Sequence, residues 1–141
     1  MGMAEQGCVF CAIVAGESAA DIVLDVEAAV GFLDRRPLFK GHVLVVPRRH
    51  IVTMPELDPV GPFFEAVQRV AAALPAALGA QGTFVAMNNV VSQSVAHLHV
   101  HVVPRTKGDG LRGFFWPRTR YRPGEAAAVA DRLRAALAEL G

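Results

Sequence analysis

The stretch Gln93-Ser94-Val95-Ala96-His97-Leu98-His99-Val100-His101-Val102-Val103-Pro104-Arg105 holds three of the chain's five histidines, at every second position. In a β-strand, residues i, i+2 and i+4 point to one face. His97, His99 and His101 are then expected in a row, about 6–7 Å between neighbours from the rise of a strand. Leu98, Val100 and Val102 take the opposite face, against a core. A helix would scatter the three imidazoles, so the alternation predicts a strand over 96–103, stopped by Pro104. Neutral imidazole is a nucleophile near pH 7 and departs well once phosphorylated. A neighbouring imidazole can hold a phosphate oxygen or give a proton to a departing group. Taken alone, the row also suits a metal site or a solvated strand face.

Upstream, apolar pairs at 23–24 and 30–33 flank Glu27-Ala28, which reads as a short turn between two strands. After Gly41, the run Val43-Leu44-Val45-Val46 ends at Pro47 and predicts a strand buried on both faces. Residues 55–62 carry helix-start signals, and Phe63, Val67, Val70, Leu74 and Leu78 keep helical spacing. Pro75 is expected to kink or shorten that helix, and Gly79 and Gly82 to end it. Residues 83–87 read as a further strand. Pro123-Gly124-Glu125 opens a last helix with the stripe Val129, Leu133, Leu137, Leu140. Neighbouring hairpin-like strands with a central and a terminal helix predict an α+β fold on an antiparallel sheet.

At 141 residues, one domain is expected. A net charge of +1 argues against a nucleic-acid or membrane-surface role, which needs a basic face. No apolar run reaches the ~18 residues of a membrane span. Residues 1–6 lack the features of a signal peptide. A cytoplasmic address is therefore expected. Cys8 and Cys11, spaced C-x-x-C, then suggest metal or redox chemistry sooner than a structural disulfide.

The triad followed by two apolar residues resembles the signature of the histidine triad (HIT) family, of the Hint and Fhit kind. Cys8-Val9-Phe10-Cys11-Ala12-Ile13-Val14-Ala15-Gly16-Glu17 is similar to the family's opening. Gly31-Phe32-Leu33-Asp34, with Gly41-His42-Val43-Leu44-Val45-Val46-Pro47-Arg48-Arg49-His50, is similar to its middle block. The resemblance implies a sheet of about five strands, with a core over 8–105 and a helical C-terminal extension over 106–141. It implies a usual homodimer with joined sheets. It also implies a nucleotide hydrolase or nucleotidyl transferase that cleaves the α-phosphate bond of an AMP-type conjugate, a phosphoramidate or a dinucleoside polyphosphate, the partner being a purine nucleotide.

By that resemblance His99 is the nucleophile that forms a nucleotidyl-imidazole intermediate. His101 contacts the phosphate or the bridging atom, and His42 sits beside the same phosphate. Ser94 lies near the leaving group, with Gln93 before it. Asp34 accepts hydrogen bonds from the ribose hydroxyls, or else is a surface turn residue. Phe32 lines the base pocket or packs in the core. Asn88, with Asn89 the alternative, matches an amide near the phosphate. Many members carry a Gly-rich segment here; residues 88–93 are shorter and have no glycine.

Two cysteines and two histidines form a recognised tetrahedral zinc set. Cys8, Cys11, His50 and His97 are the candidate ligands, similar to cysteine-bearing family members and to galactose-1-phosphate uridylyltransferases. The alternative is a reduced cysteine pair without metal. The aromatic cluster at 113–117 suits a dimer interface, a pocket mouth or core burial. Arg105, Lys107, Arg112, Arg118 and Arg120 suit distal phosphates or a solvated loop. Competing functions are a dinucleoside polyphosphate phosphorylase, a nucleotide-binding regulatory protein with incidental hydrolysis, and a zinc-binding interaction module. The base, the leaving group and the physiological substrate stay open.

Overall fold

A computed structural model describes residues 7–111 and 118–141. They fall into two compact units, divided between Asp109 and Gly110. In the first unit, Cys8 caps the short helix α1 (Val9–Val14), its Sγ accepting the Cys11 N–H. Strands β1 (Ile22–Val26) and β2 (Ala29–Leu33) form a hairpin across the expected Glu27-Ala28 turn. Strand β3 (Val43–Pro47), a 3-10 turn (Met54–Glu56), helix α2 (Val60–Leu78) and strands β4 (Gly82–Ala86) and β5 (Val100–Arg105) follow. The sheet is antiparallel throughout, in the order β1-β2-β3-β5-β4.

Strand β3 explains why its sequence is apolar at every position. Val43 and Val45 pack with Val100 and Val102 against Phe63, Ala66, Val67, Val70 and Leu74 of α2. Leu44 and Val46 pack on the other side with Val30, Phe32 and Phe10. The sheet thus has two covered faces, and His101 pairs with Leu44.

The triad segment departs from the expected strand over 96–103. Pairing with β3 begins only at Val100, so His97 and His99 precede β5 and His101 alone stands in the ladder. The cause is a different set of partners: Leu98 N–H donates to Ile51 O at 2.7 Å, and His97 Nε2 to Pro47 O at 2.9 Å. Pro104 does not stop the strand; like Pro47, it stands at or beside a strand's last residue, where a missing N–H costs a ladder least. Pro75 does not shorten α2, which runs one turn further to Leu78. Gly79 ends it in the left-handed region at φ 72°, while Gly82 opens β4 instead of closing the helix.

The second unit holds helix α3 (Glu125–Leu140), opened as expected after Pro123-Gly124. Leu133, Leu137 and Leu140 of its apolar stripe are exposed. Arg112 and the aromatic cluster at 113–117 lie outside the described residues. Of the basic stretch, Arg105 is held by Asp109 at 2.6 Å.

Candidate active site and metal centre

All five histidines of the chain lie along the neighbouring strands β3 and β5 and the segments that flank them, in two groups joined through the 97–101 segment. In the first group, Cys8 Sγ lies 3.4 Å from His97 Nδ1. Cys11 Sγ lies 3.4 Å from the same nitrogen and 3.2 Å from His50 Nδ1. The four donor atoms fall within 4.8 Å of one another. His97 donates its Nε2 proton to Pro47 O, which leaves Nδ1 as a bare lone pair facing the two sulfurs. Burial is the main cause that lowers the His97 pKa, the Pro47 carbonyl opposing it and His50 and His99 adding to it. A neutral imidazole with its lone pair toward two thiols is the donor chemistry that fits zinc. The residues expected as ligands are the ones brought together.

The second group is wired differently. Leu38 N–H donates to His42 Nδ1 at 3.1 Å, so neutral His42 carries its proton on Nε2. That proton points to His101 Nδ1 at 3.0 Å, so His101 carries its own on Nε2. Asp34 Oδ2 stands 3.6 Å from His42 Nε2. His99 Nδ1 donates to His97 O at 2.8 Å, and its Nε2 is left unprotonated. Two adjacent imidazoles, ring centroids 5.1 Å apart, therefore present opposite characters: a lone pair on His99 and an N–H on His101. Burial pushes the His101 pKa down to about 4, with His99 and His42 adding to it and Asp34 opposing. Burial also lowers His42, again against Asp34.

A cleft of about 770 Å³ opens over this pair. Phe32, Asp34, Ser94, His99 and His101 line it together. Phe32 is also buried and packs in the core cluster with Phe10 and Val30. Asp34 is a turn residue as well, its Oδ1 accepting the Arg36 N–H at 2.9 Å. His42 does not line the cleft; it stands behind His101. Asn88 and Gln93 do not line it either. Asn88 donates to Ser92 O at 3.1 Å, and Gln93 bridges Val90 N and Val52 O at 3.0 and 2.7 Å. Asn89 accepts the Met54 N–H. These bonds clamp a loop that takes left-handed conformations at Val90 (φ 72°) and Ser92 (φ 63°), which glycine would adopt freely.

Sequence reasoning gave no role to Phe10, whose ring centroid lies 5.1 Å from that of His99 and 6.0 Å from that of His97. Its place between Cys8 and Cys11 was the available signal. Arg35 and Arg36 also line the cleft, and only their position after Asp34 pointed to them.

A five-stranded antiparallel sheet with flanking helices and a histidine-lined cleft at the start of β5 places the chain in the α+β class. The chain belongs to the HIT family: residues 15–108 match the HIT domain. An uncharacterised HIT-like protein of Methanocaldococcus jannaschii is 39% identical over 107 residues, covering 73% of this chain and 82% of that one. The adenosine 5'-monophosphoramidase of Schizosaccharomyces pombe is 30% identical over 132 residues, 91% of this chain and 96% of its own. Among solved structures, a zinc-bound histidine triad family protein from Mycobacterium smegmatis is similar at TM-score 0.71 and 39% identity, covering 95% of each chain.

Proposed function

We propose that this protein cleaves the α-phosphate bond of an AMP-type conjugate, a phosphoramidate or a dinucleoside polyphosphate, through a nucleotidyl-His99 intermediate. The observation that carries this is the tautomer pair on the cleft wall: His99 with a free Nε2, His101 with an Nε2–H. His99 Nε2 attacks phosphorus, and the bond from phosphorus to the leaving group breaks. A bound phosphate adds negative charge beside His101 and raises its pKa, so His101 can protonate the departing group. Water then attacks phosphorus and loses a proton while the bond from phosphorus to His99 Nε2 breaks, giving AMP and free His99. His42 acts through His101, whose ring it orients. Ser94 serves the leaving group. Asn88 and Gln93 hold the loop that delivers Ser94, and Asp34 takes the ribose hydroxyls. The cleft volume is within the ~300–1,000 Å³ of small-ligand sites, and Val9, Phe10, Ile13 and Phe32 supply apolar surface for a purine.

Cys8, Cys11, His50 and His97 would hold one structural zinc. A closed four-ligand site binds no water to activate; its contribution is to tie α1 to the sheet. We read residues 8–105 as the domain core and 106–141 as its extension. Two copies would join through the open edge of β4. A cytoplasmic setting would keep the thiols reduced; no helix among the described residues is long and apolar enough to cross a membrane.

The test is AMP release from an adenosine phosphoramidate and a diadenosine polyphosphate by the intact protein and by His99→Gly, with and without inorganic phosphate. Release that survives loss of His99 refutes the nucleophile assignment. Release that requires phosphate makes the enzyme a phosphorylase. No release by the intact protein leaves binding as the function.

A further inference from the structure

A second cavity, of about 480 Å³, lies on the opposite side of the sheet, between α2 and β1. It shares one lining residue with the cleft, Leu33, and includes none of the five histidines. Its volume is again that of a small-ligand site. Arg69, Ala73 and Ala77 stand at i, i+4 and i+8 on α2 and line one wall. The two alanines leave the space, and Arg69 marks one end. Leu78 marks the other end, about 13 Å along the helix axis from Arg69. There the chain approaches closely: Gly41 has φ 102°, and a Cβ on it would overlap Leu78 Cδ1. The opposite wall is apolar, and Val23 and Leu78 are half exposed.

The charged residues of this lining are Lys40 and Arg69, both cations. Neither makes an ion pair with a described residue. An apolar trough with unpaired positive charge at its rim is complementary to a molecule with an apolar tail and an anionic head. A guanidinium offers a carboxylate two parallel N–H donors, whereas an ammonium offers a point charge.

We propose that this trough binds an amphiphilic carboxylate, its tail between α2 and β1 and its head on Arg69. Lys40 adds to the local positive field. The site does not depend on the reaction assigned to the cleft.

The test is an NMR titration of the ¹⁵N-labelled full chain with octanoate, 1-octanol and acetate. Octanoate is expected to give saturable shifts at the amides of Val23, Gly41, Ala73 and Leu78. It should bind about 5-fold or more tightly than 1-octanol, and acetate should not bind. Arg69→Gln, an exposed substitution, should abolish the preference for octanoate. Ala73→Trp should block the trough. Equal binding of octanoate and 1-octanol, unchanged by Arg69→Gln, reduces the trough to a plain apolar surface and overturns the proposal. Saturable shifts confined to the His99 cleft overturn it too. So do shifts at the trough amides that follow protein concentration and not octanoate, which assign the trough to a second copy.

Discussion

His97 and His99 are two residues apart, both buried and both near Phe10, yet their rings face different surroundings. His97 gives its Nε2 proton to a carbonyl and turns Nδ1 toward two sulfurs. His99 gives its Nδ1 proton to a carbonyl and keeps Nε2 for the cleft. The difference is which ring nitrogen meets the backbone oxygen. A carbonyl partner fixes the tautomer, and the tautomer fixes whether the remaining lone pair faces the thiols or the cleft.

The largest way to break this comparison is to remove the lone pair on the cleft side. His99→Gly should lower kcat for AMP release by at least ~10³-fold while thermal melting stays cooperative. Free imidazole added to the variant should restore part of the rate, because it can occupy the space and attack phosphorus in place of the side chain. A drop of only a few-fold would mean that the lone pair attacks nothing.

The thiol side should respond in stability first. Cys11→Ser removes the sulfur that meets both His50 and His97. Metal content should fall from about one zinc per chain, and the unfolding free energy by ~3 kcal/mol or more. Metal analysis with thermal melting checks both. A wild-type chain that is metal-free, folded and active contradicts the zinc reading.

How much of this contrast could be read in the sequence depends on what fixes each part. The hairpin at 27–28, the doubly buried β3 and the stripe of α2 follow from local periodicity, which survives folding. The cluster of Cys8, Cys11, His50 and His97 was legible in part because C-x-x-C spacing brings two thiols together locally. The start of β5 was not. Alternation at 96–103 suits a strand, but Ile51 O and Pro47 O capture the segment from 47 and 50 residues away. No local pattern encodes a partner that distant. The same holds for His42, which the family resemblance implies beside the phosphate and the fold places behind His101. The α1 helix, six residues long, is set by the Cys8 cap and its packing, not by propensity.

His101 sharpens the comparison through pH. Its pKa is near 4 when folded, against 6.5 as the ordinary value. Between those limits the unfolded chain binds more protons than the folded one. The stability that neutral His101 contributes is therefore complete above pH 6.5 and is lost as pH falls toward 4. The loss should be on the order of 2 kcal/mol, allowing for partial exposure. Urea unfolding of wild type and His101→Asn across this range should give a shallower slope for the variant. Parallel slopes would mean that His101 does not carry the titration.

The smallest expected effect lies at Asp34, where two roles compete. One is to accept the ribose hydroxyls. The other is to hold the turn through Arg36 N–H while offsetting the depressed pKa of His42 and His101. Asp34→Asn keeps an oxygen for the Arg36 N–H but removes the charge. If the carboxylate reads the ribose, wild type should prefer an adenosine conjugate over its 2'-deoxy form by about 10-fold in kcat/KM, and the variant should lose most of that ratio, a change of roughly 1 kcal/mol. If Asp34 acts only on the turn and the imidazoles, both rates should fall together and the ratio should stand. The ratio decides because a change in His101 is felt equally by the two substrates, whereas a lost hydroxyl contact is felt by one.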